Sequence, residues 1–388
     1  MNRLFVGNFD FEHTLAASGA GQRRVVRRVR EELSFAWTAI ASADDVILSP
    51  VIPDRDFVPE LYAMGCPRFR LATSLKNLDS SLAVCPWGWD TAISAWCDQH
   101  ALRGDCPSLD TVRELNSRDF SAGMESQRDA GLSGNNQIRS VDALARLLTV
   151  CEHVDQHWVV KARWSMAGRE CLRGCGPELS SAQRNWVVTR LDRDGVVFYE
   201  PWVEKIDEVS WQFDLPVATA GPPRLLGVTQ LITDCRGAHV GNRVMPAENL
   251  TEWNAVLQVV TDVADRVQSR GYRGPLGIDS MKYRHTDGSV AFRPIQDINA
   301  RWTMGRLALG LSRLADPAAH VGWWHARWGD TQSPRDWWQR LSKLCGSSIR
   351  VIRTSPFEVD GRPVELGTLA VIGTDLAAVR HVENWILS

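Results

Sequence analysis

The chain has 388 residues, 44% apolar and 23% charged, with a formal net charge of −2; this is the composition of a soluble globular protein long enough for two or three domains. The near-neutral balance gives no electrostatic case for nucleic acid or an anionic membrane, and no apolar run approaches the roughly 18 residues of a membrane span. Nine scattered cysteines fit reduced thiols in a cytoplasm better than a disulfide framework, and the opening MNRLFVGNFDFEHTL carries acids too early for a signal peptide.

Residues 3–9 read as a strand, Arg24 to Leu33 as a basic and then acidic helix, and Val46 to Leu48 as a short buried strand stopped by Ser49-Pro50. Such alternation predicts an open α/β unit with a parallel sheet. Pro86-Trp-Gly-Trp89 punctuates it, a helix follows from Asp90 to His100, and the unit closes near Leu115. Residues 116–136 form a polar, glycine-bearing stretch, and Ser140 to Cys151 is an amphipathic helix. His153 and His157, four apart, would share a helix face, but HVDQH lacks the glutamate of a zinc-protease helix. Cys171 and Cys175 have no second close pair to complete a zinc site and read as structural thiols.

The next segment is strand-rich. HWVVK (157–161) leads into a glycine-containing loop through Gly168, VVFYE (196–200) is a strand, and Glu208 to Leu215 alternates as a half-buried one, with Leu225 to Asp234 continuing the pattern. Glu252 to Arg270 is a long helix. A hairpin spans Gly271 to Trp302, turning at His285–Gly288, and an apolar run fills 303–315. The tail from 316 gathers Trp323, Trp324, Trp328, Trp337 and Trp338, which read as a packing core, and ends in a βα-like unit from Leu369 to Leu387.

The hairpin is the most informative stretch. Asp297, Asn299 and Arg301 fall at alternate positions and so project together; a turn through Gly288 would bring Asp279 beside them. Two carboxylates and an amide oxygen are hard ligands that suit magnesium alongside substrate phosphates, and an arginine one step along would meet the anion. Lys161, at a strand end before the loop ARWSMAGRE, is placed to hold phosphates, with backbone amides around Gly168 covering them. No P-loop motif occurs. Glu200-Pro-Trp202-Val203 leaves a strand as an extended linker whose backbone can pair with an adenine edge, Glu208 can take ribose hydroxyls, and Arg118 can supply a second phosphate cation. Arg236, His239 and Arg243 lie in a loop that reads as solvated, with contact to a γ-phosphate as the alternative.

In their order, VVKARWSMAGRE (159–170), FYEPWVEKIDEVS (198–210), GPLGIDSM (274–281) and IQDINARWTMG (295–305) resemble the ATP-grasp superfamily of carboxylate–amine ligases, over roughly 116–315. The resemblance implies an α/β (α+β) fold. Its expected parts are a Rossmann-like pre-ATP-grasp domain (1–115), a lid subdomain (116–204), a central antiparallel-sheet subdomain for metal and ATP (205–315) and a C-terminal extension (316–388). It implies ATP with one or two Mg2+ ions (Mn2+ as a substitute), held as follows: Arg118, Lys161 and Gly168 on phosphates; Glu200, Trp202 and Val203 at the adenine; Glu208 at the ribose. Asp279, Asp297 and Asn299 would hold the metal, and Arg301 and Lys161 would serve catalysis. Two departures stand out: Asp297 replaces the usual glutamate, and Arg118 stands where lysine is commoner. The implied reaction joins a small carboxylate to an amine, an amino acid or short peptide, through an acyl phosphate, in an enzyme of a size often found as a homodimer. A small-metabolite phosphotransferase and a non-catalytic nucleotide-binding module remain the alternatives.

Overall fold

The computed structural model describes residues 2–16, 23–150, 156–164, 170–234, 237–285, 287–326, 328, 333–346 and 348–387. Gly168 with its loop, His153, Cys151, Cys235 and Arg236 lie outside the described residues. Among those described, no helix is long and apolar enough to cross a membrane.

The first sheet is parallel, in the order Arg70–Ala72, Val46–Leu48, Arg3–Val6, Ala83–Pro86. The short apolar runs form it because helices cover both faces of a sheet of this kind, so its strands need no polar side. The loops after Arg3–Val6 and Ala83–Pro86 leave the carboxyl edge side by side, joined by Asn8 Nδ2 donating to the Gly88 carbonyl at 2.7 Å. Ligands of open α/β sheets bind at this edge.

The second sheet, Asn136–Ile138, Val197–Pro201, His157–Ala162, Cys171–Cys175, is antiparallel. Its strands turn Trp158, Val160, Val197 and Tyr199 onto helices Val141–Val150 and Ser181–Asp194, and the alternation leaves Lys161 and Glu200 together on the opposite face. His157 begins a strand, so it shares no helix face with His153. The polar, glycine-bearing stretch at 116–136 contains the helix Arg118–Ser126. Ser117 caps it by accepting from the Phe120 amide, and packing against strand Val290–Asn299 stabilises a segment too polar and glycine-bearing to announce itself.

The third sheet has eight antiparallel strands. From one edge, Val290–Asn299, Gly274–Arg284, Glu204–Leu215, Arg224–Thr233 and His239–Val244 build the central part. The segment from 316 extends this same sheet with His320–Ala326, Gly367–Gly373 and Ile349–Arg353. Trp323 and Trp324 are fully buried there, and Trp328 and Trp337 nearly so. Helix Asn254–Ser269 lays Val256, Val260, Val263 and Val267 against the sheet, at i, i+4, i+7, i+11. An aromatic joint of Phe5, Trp37, Trp87 and Trp302 fastens the first domain to the end of the hairpin, where the Trp302 amide donates to the Trp87 carbonyl at 3.0 Å.

Candidate active site

On strand Glu204–Leu215 the two-residue period buries Val209, Trp211 and Phe213 and turns Glu208, Ser210 and Gln212 to the other face. Asp279 sits in register between Ser210 on one neighbouring strand and Asp297 on the other. Cross-strand partners share a face, so the two acids stand together. Ser210 Oγ donates to Asp279 Oδ1 at 2.5 Å, and Asn299 Nδ2 donates to Oδ2 at 3.1 Å. Arg301 Nη2 donates to Asn299 Oδ1 at 2.9 Å and pairs with Glu12 Oε1 at 2.5 Å. Arg118 Nη2 approaches Asp297 Oδ2 at 3.8 Å.

Burial, and then the neighbouring Asp297 charge, push the Asp279 carboxyl up to about 7. Two carboxylates this poorly compensated, with an amide oxygen beside them, are a hard-oxygen donor set. That set fits a divalent cation shared with phosphates. Among the described residues no group of three His, Cys, Asp or Glu forms a metal cluster, so the third protein donor would be the Asn299 amide oxygen, which here accepts from Arg301.

Facing this strand trio is a buried ionic cluster. Lys161 Nζ donates to Glu200 Oε2 at 2.6 Å. Arg293 donates to Glu200 through Nη1 at 3.0 Å and Nη2 at 3.1 Å, and to Glu125 through Nε at 2.5 Å and Nη2 at 3.0 Å. Burial disfavours the Glu200 charge, yet Arg293 and Lys161 outweigh it and hold that carboxyl well below the usual range. For Glu125 burial wins over Arg293, and its carboxyl moves up. Lys161 moves down because burial outweighs the attraction of Glu200. Lys161, Arg118 and Arg293 act against Glu200 and Glu125, three cations to two carboxyl groups.

Arg293 enters this cluster through an irregularity. Asp279 pairs with Asp297, but Met281 pairs with Arg293, so the second strand carries two extra residues across Pro294. Proline cannot donate to a ladder and marks a bulge inside a sheet; this one preserves the parity that keeps Arg293 on the acid face.

The linker after Glu200 holds Trp202 at 47% exposure, with Arg173 4.6 Å above its ring. The Trp202 amide donates to the His157 carbonyl at 2.9 Å, while Val203 packs against Leu132, Met281 and Tyr283. Glu208 accepts from Lys205 at 2.8 Å and from Gln296 at 2.5 Å. Arg243 is committed to Glu383 and Gln230, and the His239 ring bonds Asn242; the loop reading of these two gives way to a strand, His239–Val244.

The structure thus gathers Lys161, Arg118 and Glu200 on one side and Asp279, Asp297, Asn299 and Arg301 on the other, with Glu208 further along the same sheet face. It adds Glu12, Glu125, Ser210 and Arg293. Ser210 was accessible to the alternation argument, being two residues from Glu208. Arg293 had a weaker signal, an arginine inside an apolar strand beside a proline. Glu12 had none.

No protein-family model matches the chain, and no curated protein matches it by sequence. Solved structures do match. Staphylococcus aureus N5-carboxyaminoimidazole synthetase complexed with ADP is 9% identical, with a TM-score of 0.57 over 100% of this chain and 97% of that one. Campylobacter jejuni biotin carboxylase, in a β-γ-ATP complex, is 11% identical, with a TM-score of 0.55 over 100% and 91%. An N5-carboxyaminoimidazole ribonucleotide synthetase bound to ADP is 11% identical, with a TM-score of 0.55 over 100% and 96%. The chain has the fold of these proteins, the ATP-grasp fold behind an N-terminal parallel α/β domain, as the motif order led one to expect.

Proposed function

We propose that the protein is an ATP-dependent ligase that joins a small carboxylate to an amine through an acyl phosphate, releasing ADP and phosphate. The observation that carries this reading is the meeting of two half-sites: the acid pair Asp279–Asp297 with Asn299 and Arg301 on the sheet, and Lys161 with Arg118 on the lid side. Enzymes of the same fold crystallised with ADP or a β-γ-ATP ligand support it.

ATP lies in this reading between the lid sheet and the central sheet, with its adenine at the Trp202–Val203 linker and its ribose at Glu208. Lys161 and Arg118 neutralise the phosphates. Asp279, Asp297 and Asn299 would hold Mg2+, which would supply charge neutralisation for phosphoryl transfer. The substrate carboxylate oxygen attacks the γ-phosphorus and the bond to ADP breaks. The amine nitrogen then attacks the acyl carbon, phosphate leaves, and the amine gives up a proton. Neither step needs a covalent bond to the chain, so positioning and charge supply the rate. Arg301, bonded to Asn299 beside the acid pair, stabilises the acyl phosphate and the oxyanion.

An amino acid or short peptide is the proposed substrate class. The test is ADP release with Mg2+ against pooled carboxylates and amines, followed by mass spectrometry of the products. An amide formed only when both substrates are present supports the ligase. A stable phosphorylated product without amine dependence would mean a phosphotransferase, and ATP binding with no ADP from any mixture a non-catalytic module.

A further inference from the structure

We infer that Glu12, from the N-terminal domain, is a positioning residue that holds Arg301 for the acyl-transfer step, an inference that rests on the ligase reading above.

The Arg301 guanidinium is fixed from three sides. Nη1 donates to the Trp302 carbonyl at 2.7 Å, Nη2 donates to Asn299 Oδ1 at 2.9 Å, and Glu12 Oε1 lies 2.5 Å from Nη2. The Trp87 ring forms a fourth wall, 5.6 Å away. Of these partners only Glu12 is charged, and a charge-assisted bond is roughly twice as strong as a neutral one. The side chains are 14% and 8% exposed, so water screens the pair little.

Two atoms of this pair are buried without a partner: Arg301 Nε and Glu12 Oε2. A buried polar atom left alone is costly, and such orphans in native proteins call for a role. Among the Arg301 nitrogens Nε alone has no partner, while Trp302 takes Nη1 and Asn299 and Glu12 take Nη2. Glu12 therefore fixes the Nη edge of the guanidinium.

Its placement is rigid. Glu12 lies on the short helix Phe11–Leu15 that follows the first strand, and the buried joint of Phe5, Trp37, Trp87 and Trp302 locks that strand to the residue next to Arg301. A shift of about 1 Å in a reacting group can cost about 10²-fold in rate, which sets the expected effect.

The test compares full-length wild-type protein with Glu12→Gln and Glu12→Asp. Three readouts are taken: thermal unfolding, turnover with the carboxylate and amine found in the screen, and phenylglyoxal modification of Arg301 mapped by peptide mass spectrometry. Glu12→Gln, an isosteric change, should fold normally, keep the KM for ATP and lose about 10²-fold in kcat. Arg301 should also react faster with phenylglyoxal once its carboxylate is gone. Glu12→Asp should regain part of both. Wild-type kcat and modification rate in Glu12→Gln overturn the inference; so does a loss confined to the KM for ATP, or a chain that no longer folds. Should wild-type protein release no ADP from any mixture, the ligase reading falls, while the phenylglyoxal rates still decide whether Glu12 holds Arg301.

Discussion

Replacing Arg293 with methionine probes the buried ionic cluster of Arg293, Glu125, Glu200 and Lys161. Arg293 is 3% exposed and makes four hydrogen bonds, two to Glu125 and two to Glu200. Methionine fills much of the volume but returns none of them. Glu200 keeps Lys161, whereas Glu125 is left buried with no cation bonded to it. Breaking a buried ion pair by removing one partner costs about 3–5 kcal/mol, and Glu125, already pushed up by burial, limits the loss by taking a proton. Each pKa unit of that retreat is about 1.4 kcal/mol. Adding Glu125→Gln to Arg293→Met removes the stranded charge, so the double variant should be more stable than the single one. Urea unfolding followed by tryptophan fluorescence reports this well in a chain with 17 tryptophans. At a slope of about 2–3 kcal/mol per molar urea the single variant should lose about 1–2 M at the midpoint. A midpoint equal to that of the wild type, or a double variant weaker than the single, would refute the electrostatic account of this cluster.

Other outcomes are specific to single residues. Arg301→Ala should lower kcat by about 10²-fold or more, the scale of losing one oxyanion donor at about 3 kcal/mol; ligation at the wild-type rate removes Arg301 from the chemistry. Lys161→Gln should raise the KM for ATP about tenfold or more, since a charge-assisted phosphate contact contributes about 1.5–3 kcal/mol, and isothermal titration with ATP checks it. In metal-free protein Asp279 titrates near 7, above its ordinary 3.8. The folded chain therefore keeps a proton that the unfolded chain releases between about pH 4 and about pH 7, and this group's contribution to stability falls as pH rises through that window. Thermal scans in EDTA should show Asp279→Asn with a flatter decline and a higher midpoint than wild type near pH 8; parallel curves contradict the raised Asp279.

Much of the site was legible because strand geometry is local. The spacing of Asp297 and Asn299 places both on one face, and the turn at Gly288 brings Asp279 into direct register with Asp297. Glu208 to Leu215 read as an alternating strand, and following that alternation two residues on from Glu208 would have found Ser210. Helix Arg118–Ser126 escaped because its stability comes from the strand it packs on rather than from its own periodicity. Arg293, four residues before Asp297, was open to the same alternation; what escaped was its pairing with Met281, because the extra residues at Pro294 shift the register and a bulge has no unique sequence signature. The tryptophan-rich tail read as a packing core, but its pairing beside His239–Val244 in the central sheet was not readable.

The sequence by itself determined which face residues take along each regular stretch of strand, since a period of two is a property of consecutive backbone units, and the bulge at Pro294 interrupts it. Tertiary structure alone decided who meets whom: Arg293 with Glu125, 168 residues away, and Arg301 with Glu12 from another domain. Such pairs depend on how separate sheets dock through aromatic surfaces like that of Trp37, Trp87 and Trp302. Apolar packing of that kind is non-directional, so its geometry comes from shape complementarity across the whole joint, which no local stretch of chain encodes.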